Sequence, residues 1–160
     1  QMGEIIKTMD SRRIFVKTLE EINDPRNILV TMDVGFSYLD DTKLRVFNFG
    51  VTEASSTLIA AALGLSGYTV WLYSMINFVT FRVHEMIRNG IVMHKANVKI
   101  IGVKGSEAYK FLGFSHNLLF EDEEIEWLEK LMPCYKPKQE EVRDLILRLS
   151  QEKTASYIRL

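Results

Sequence analysis

One cysteine, Cys134, is present among 160 residues, so no disulfide can close within the chain, and a reducing cytoplasm is the expected location. Only three prolines are present, and no Pro-, Gly- or Ser-rich tract reads as a linker. A single domain over residues 1–160 is therefore expected. There is no excess of charge of either sign: 20 Lys and Arg stand against 21 Asp and Glu, for a net charge of -1. Without a basic stripe, nucleic acid is not an expected partner. No uninterrupted apolar run reaches the roughly 20 residues of a membrane span, and nothing near the N-terminus has the pattern of a secretory signal. Gln1 stands ahead of Met2, and Met2 is read as the natural start. The three histidines, His84, His94 and His116, fall on separate predicted elements. No Cys/His cluster, H-E-x-x-H, Walker glycine loop or G-x-G-x-x-G is present, which leaves zinc, P-loop and dinucleotide chemistry without a motif, and no metal is expected on this chain.

What is present is a 47% hydrophobic composition, distributed as strands alternating with helices. Asp10 and Ser11 are placed to cap a first helix carrying Phe15, Leu19 and Ile22 at helical spacing. A buried strand is predicted at 28–32 and further strands at 44–49, 68–73, 98–103, 133–137 and 156–160, from short runs of apolar, β-branched and aromatic residues. Between them the pattern predicts a helix after Glu53 that is apolar almost all round and therefore buried, a long helix over 74–88 closed by Asn89-Gly90, an acidic helix over 121–132, and a helix over 140–151 with Val142, Leu145, Ile146 and Leu149 on one face. This alternation argues for an α/β fold of three layers: a mostly parallel sheet of about six strands with helices on both faces.

The chain is organised around Phe47-Asn48-Phe49-Gly50-Val51-Thr52-Glu53, a strand that runs through a glycine into a helix start. In open parallel sheets such turns lie at the carboxyl edge, where ligands bind. Three strand-end loops carry polar groups that converge on one edge in this arrangement: 33–37, Thr52-Glu53, and Gly113-Phe114-Ser115-His116-Asn117. Two readings of Glu53 stand side by side. An acidic residue after a Thr N-cap opposes the helix dipole, or it is a carboxylate set at a site. Phe78 and Phe81, three apart, are likewise either core or the walls of a slot for a planar heterocycle.

The order of these motifs resembles the pyrimidine-binding domain of transketolase-like, thiamine-diphosphate-dependent enzymes, over nearly the whole chain. Gly50-Val51-Thr52-Glu53 is similar to the family's glycine-x-x-glutamate. The segment from Ser74 to Phe81 is similar to its aromatic-rich stretch, and 113–117 to its glycine-proline-threonine-histidine-glutamine loop. Asp33 followed by Ser37, and Arg12 in the first helix, match further family positions. The resemblance implies that Glu53 hydrogen-bonds the cofactor's aminopyrimidine nitrogen, that Met75, Phe78 and Phe81 wall that ring, and that Asp33 lies on the cofactor side. It implies that His116 contacts the reacting oxygens of the substrate, and that Arg12 and Ser37 hold a substrate phosphate. Glu53 and His116 would be the catalytic residues, serving two-carbon ketol transfer between sugar phosphates or related ketoses and aldehydes. The sequence departs from the family at Met75, at Phe81 in place of tyrosine, and at Leu112, where transketolases carry aspartate. No glycine-aspartate-glycine motif is present, so the diphosphate and Mg2+ of thiamine diphosphate are expected on a partner chain or domain. A homodimer or heterotetramer, inactive without that partner, is the expected assembly. The alternatives are a non-catalytic module of the same fold and a subunit of a 2-oxoacid dehydrogenase or decarboxylase.

Overall fold

The structure, a computed structural model, describes residues 10–34, 39, 41–103 and 109–160. Helix α1 (Ser11–Ile22) starts where Asp10 accepts a hydrogen bond from the Arg12 backbone N–H at 2.8 Å, as its capping sequence suggests. Strands β1 (Asn27–Thr31) and β2 (Arg45–Asn48) lead to helix α2 (Glu53–Leu65) and strand β3 (Thr69–Met75). A short helix α3 (Ile76–Val79), a 3-10 turn at Phe81–Val83 and a π-helical segment at Met86–Met93 precede β4 (Val98–Val103). Two 3-10 turns, Lys110–Leu112 and Phe114–His116, are followed by α4 (Glu123–Leu128), β5 (Cys134–Tyr135), α5 (Val142–Gln151) and β6 (Ser156–Arg159).

The six described strands form one sheet in the order β2-β1-β3-β4-β6-β5, with every neighbouring pair parallel. This is the α/β architecture expected from the sequence. Side chains alternate across the sheet, as the pleat requires. Ile28, Val30, Val70, Leu72, Val98 and Ile100 pack beneath Ala60 and Ala61 of α2 and Val79, Val83, Ile87 and Ile91 of the segments after β3. Leu29, Trp71, Tyr73, Ile101 and Ile158 face Phe15 and Leu19 of α1 and Val142, Ile146 and Leu149 of α5. Because both faces are covered, β1, β3 and β4 are buried along their whole length and are largely apolar.

Three expectations are corrected. The helix expected over 74–88 is not continuous: Ser74 and Met75 finish β3, α3 stops at Val79, and Thr80 (φ -120°, ψ -78°) breaks the run. Gly90 does not close it, because it lies inside the π-helical segment. There a Cβ would come 2.8 Å from Leu58 Cδ2 of α2, so the glycine serves the helix crossing rather than a cap. Helix α2 is apolar all round but buried on one face only: Leu58, Ile59 and Leu65 are exposed while Ala60, Ala61 and Gly64 are covered. The acidic helix is shorter than 121–132, since the chain turns after Leu128 to bring Met132 into the core.

Candidate active site

The connection after β1 runs to β2 on one side and that after β3 to β4 on the other, so a crevice opens between the carboxyl ends of β1 and β3. A cleft of about 420 Å3 lies there, a volume ordinary for a small-molecule site. Its walls come from the end of β1 (Met32, Asp33, Val34), the β2–α2 turn (Val51, Glu53), the end of β3 and its helix (Met75, Phe78, Arg82), and the loop after β4 (Tyr109, Leu112, His116). All three strand-end loops singled out in the sequence therefore join it, through Asp33, Glu53 and His116.

Glu53 is the first residue of α2 and is 6% exposed. The tight turn before it depends on Gly50 at φ 67°, and on Asn48, whose side-chain oxygen accepts from Gly50 N at 2.9 Å and from Asp33 N at 3.1 Å. Thr52 occupies the N-cap position without capping: its hydroxyl donates to the Phe49 carbonyl at 2.9 Å. The carboxylate of Glu53 faces the positive end of α2. It accepts from Arg82 Nη1 at 2.7 Å. The guanidinium of Arg82 lies over the Phe78 ring, 3.9 Å from its centroid. Glu53, Arg82 and Phe78 thus form a layered cluster in one wall of the cleft.

Met75 is 3% exposed and closes the floor at the end of β3. His116 meets Phe78 edge-on, with ring centroids 5.0 Å apart, and its Nδ1 shares a 2.9 Å hydrogen bond with the Ser115 hydroxyl. The histidine loop is tied to α3 by Asn77 Nδ2, which donates to the Asn117 carbonyl at 2.8 Å. Other predicted residues lie apart. The break at Thr80 turns Phe81 off the face that carries Phe78; it is 38% exposed and does not line the cleft. Arg12 is held by the Asp10 carboxylate and does not line the cleft either. Ser37 lies outside the described residues. Among the described residues no group of three or more His, Cys, Asp and Glu could hold a metal ion, and no helix is long and apolar enough to cross a membrane.

The residue that sequence reasoning missed is Arg82. No spacing signals it, because the helix carrying Phe78 ends at Val79 and Arg82 lies in the separate 3-10 turn that follows Thr80. Asn48 was likewise passed over, although a side-chain amide between a strand and a glycine is well suited to hold backbone N–H groups.

The chain is 31% identical over 114 residues to a transketolase C-terminal section from Methanocaldococcus jannaschii, a match covering 67% of this chain and 36% of that protein. The chain belongs to the transketolase-like family. A second relative, one of the subunits of an apulose-4-phosphate transketolase from Phocaeicola vulgatus, is 30% identical over 115 residues, which cover 68% of this chain and 37% of that one. The chain thus spans little more than a third of the curated relatives it matches. No family model matches it. Among solved structures, a split-gene transketolase described as an inactive beta4 tetramer superposes with a TM-score of 0.75 at 24% identity, covering 94% of this chain and 50% of that one. The Campylobacter jejuni transketolase gives 0.73 at 14% identity, covering 99% and 29%. The Leishmania mexicana enzyme gives 0.72 at 16% identity, covering 92% and 24%. At these identities the structural likeness carries the fold, and the transketolase-like sheet accounts for the all-parallel order found here.

Proposed function

We propose that this chain is the pyrimidine-binding component of a split transketolase-like enzyme, which carries out two-carbon ketol transfer between sugar phosphates or related ketoses and aldehydes in the cytoplasm. The observation that carries this reading is a nearly buried carboxylate, Glu53, that opens onto the same cleft as Phe78 and Met75. The fit to the pyrimidine half of thiamine diphosphate rests on the wall itself. A flat N–H-bearing group, the guanidinium of Arg82, already lies against Phe78 and bonds Glu53.

When bound, thiamine diphosphate supplies a carbon nucleophile able to cleave and re-form the bond beside a ketone. Glu53 holds a proton at the ring nitrogen facing it; a dry setting and a fixed hydrogen bond suit a carboxyl group to that task. Phe78 and Met75 would orient the ring, and Val51, Met32 and Leu112 line the same cleft. His116, held by Ser115 and the edge of Phe78, hydrogen-bonds the substrate oxygens. Asp33 sits at the end of β1 on the cofactor side. Arg12, with Ser37, binds a substrate phosphate, for which its fork geometry is suited, in competition with Asp10. The diphosphate and Mg2+ belong to a partner chain or domain, in a dimer or a heterotetramer.

The test is reconstitution. The chain is mixed with a candidate diphosphate-binding partner, thiamine diphosphate and Mg2+, and ketol transfer from a ketose donor to an aldehyde acceptor is followed. Turnover is expected only in the mixture, and Glu53→Ala is expected to lower kcat by about a thousandfold, within the range of proton-transfer groups, with its circular dichroism unchanged. Equal rates for the two proteins would refute the role of Glu53.

A further inference from the structure

Arg82 has no part in the chemistry above, yet it lies in the cleft wall between Glu53 and Phe78. Its side chain is 44% exposed, whereas that of Glu53 is 7% exposed. A carboxylate so far from water is costly unless a donor satisfies it. Arg82 is that donor, and it approaches in a particular pose: its guanidinium carbon lies over the Phe78 ring, 3.9 Å from the centroid, while Nη1 donates to Glu53 at 2.7 Å. A guanidinium is planar, delocalised and weakly hydrated, and it stacks on aromatic faces as a heterocycle does. An aminopyrimidine that bonded Glu53 while lying on Phe78 would need the same volume.

We propose that Arg82 fills the aminopyrimidine slot of the free chain, and that the cofactor ring enters by displacing it. This rests on the pyrimidine-binding reading and adds an autoinhibitory contact to it. Arg82 keeps the buried acid satisfied while the slot is empty. Its half-exposed side chain has water to swing into, so the exchange replaces one stacked N–H donor by another without leaving Glu53 bare. The residue that fixes its position is Thr80, where the helix breaks and the next turn carries Arg82 across Phe78.

The experiment is a titration of the full chain with the free hydroxymethyl-aminopyrimidine half of the cofactor and with thiamine diphosphate, by calorimetry or ligand-observed NMR. Arg82→Ala and Arg82→Gln are each expected to bind both probes about tenfold more tightly than the natural chain, the worth of a stacked, partly exposed ion pair. Adding Glu53→Gln to Arg82→Ala is expected to erase the gain. Melting curves establish that each variant folds, and the glutamine variant retains the stem of the side chain should alanine unfold the site. Binding that weakens with Glu53→Gln but does not tighten with either Arg82 variant would overturn the displacement and leave the pyrimidine reading standing. Binding that is absent throughout, or indifferent to Glu53, would overturn both.

Discussion

Asn48 shows how much of the cleft turns on single side chains. One amide oxygen accepts from both Asp33 N and Gly50 N, so the end of β1 and the turn into α2 share an anchor. Glu53 was legible in the sequence as a helix-start acid after a glycine turn, but those signals say nothing of its partner. Arg82 became that partner only because the backbone breaks at Thr80, and no periodicity marks a break of this kind. The same break explains why Phe81, paired with Phe78 by spacing, points elsewhere. Cys134 offers a check at this scale. Burial first, then the negative Glu129 and Glu124, push its thiol up to about 12. Little thiolate is present at neutral pH, and iodoacetamide at pH 8 is expected to alkylate the folded chain at least about a hundredfold more slowly than the urea-unfolded chain. Comparable rates would contradict the raised thiol of this half-buried side chain.

At the scale of elements, strands were the most legible part of the molecule. Val98–Val103 matches its predicted bounds, and the others differ by a few residues, because a doubly covered parallel sheet writes itself as short apolar runs. Helices after β3 were less legible, since residues 74–88 keep a helical apolar spacing that does not reveal the change from strand to α-, 3-10 and π-helical backbone. Packing across elements depends on glycines that composition alone does not rank. Gly102 in β4 faces Tyr157 of β6, and a Cβ there would lie 2.4 Å from the tyrosine oxygen. That hydroxyl donates to the fully buried Glu124 of α4 at 3.0 Å, so three elements meet at one point with no room to spare. Gly102→Ala is expected to destabilise the fold by about 2 to 3 kcal/mol, the scale of overpacking in a tight core, as read by urea denaturation. An unchanged midpoint would show that Tyr157 moves aside freely.

For the whole molecule, the alternation of elements was enough to indicate a mostly parallel sheet of about six strands with helices on both faces, and the six-strand order agrees. Buried charge was not legible, because Lys99 sits in a β-rich run and reads as an ordinary surface interruption. It is fully buried in β4, with Nζ donating to the backbone carbonyls of Glu152 (3.1 Å) and Thr154. Burial pushes its amine down to about 8, with Glu152 opposing and Lys153 adding to the shift. The folded chain therefore releases this proton at lower pH than the unfolded chain, whose lysine titrates near 10.5. Between those values the unfolded state binds more protons, so stability rises with pH across that window. Relative to Lys99→Met, the natural chain is expected to gain in its urea midpoint from about pH 8 to about pH 10. Parallel curves would show that the amine titrates alike in the folded and unfolded chains.

The strand order also governs how quickly this chain can find its fold. Every pairing among the described strands is parallel, so none of them can zip up first as a hairpin, and each waits for a crossover to return. Proteins built from distant pairings search longer than those built from local ones. During that search the apolar runs of β1, β3 and β4 lie open to one another on neighbouring chains, which makes dilute refolding and prompt synthesis of any companion chain a matter of yield as well as of function.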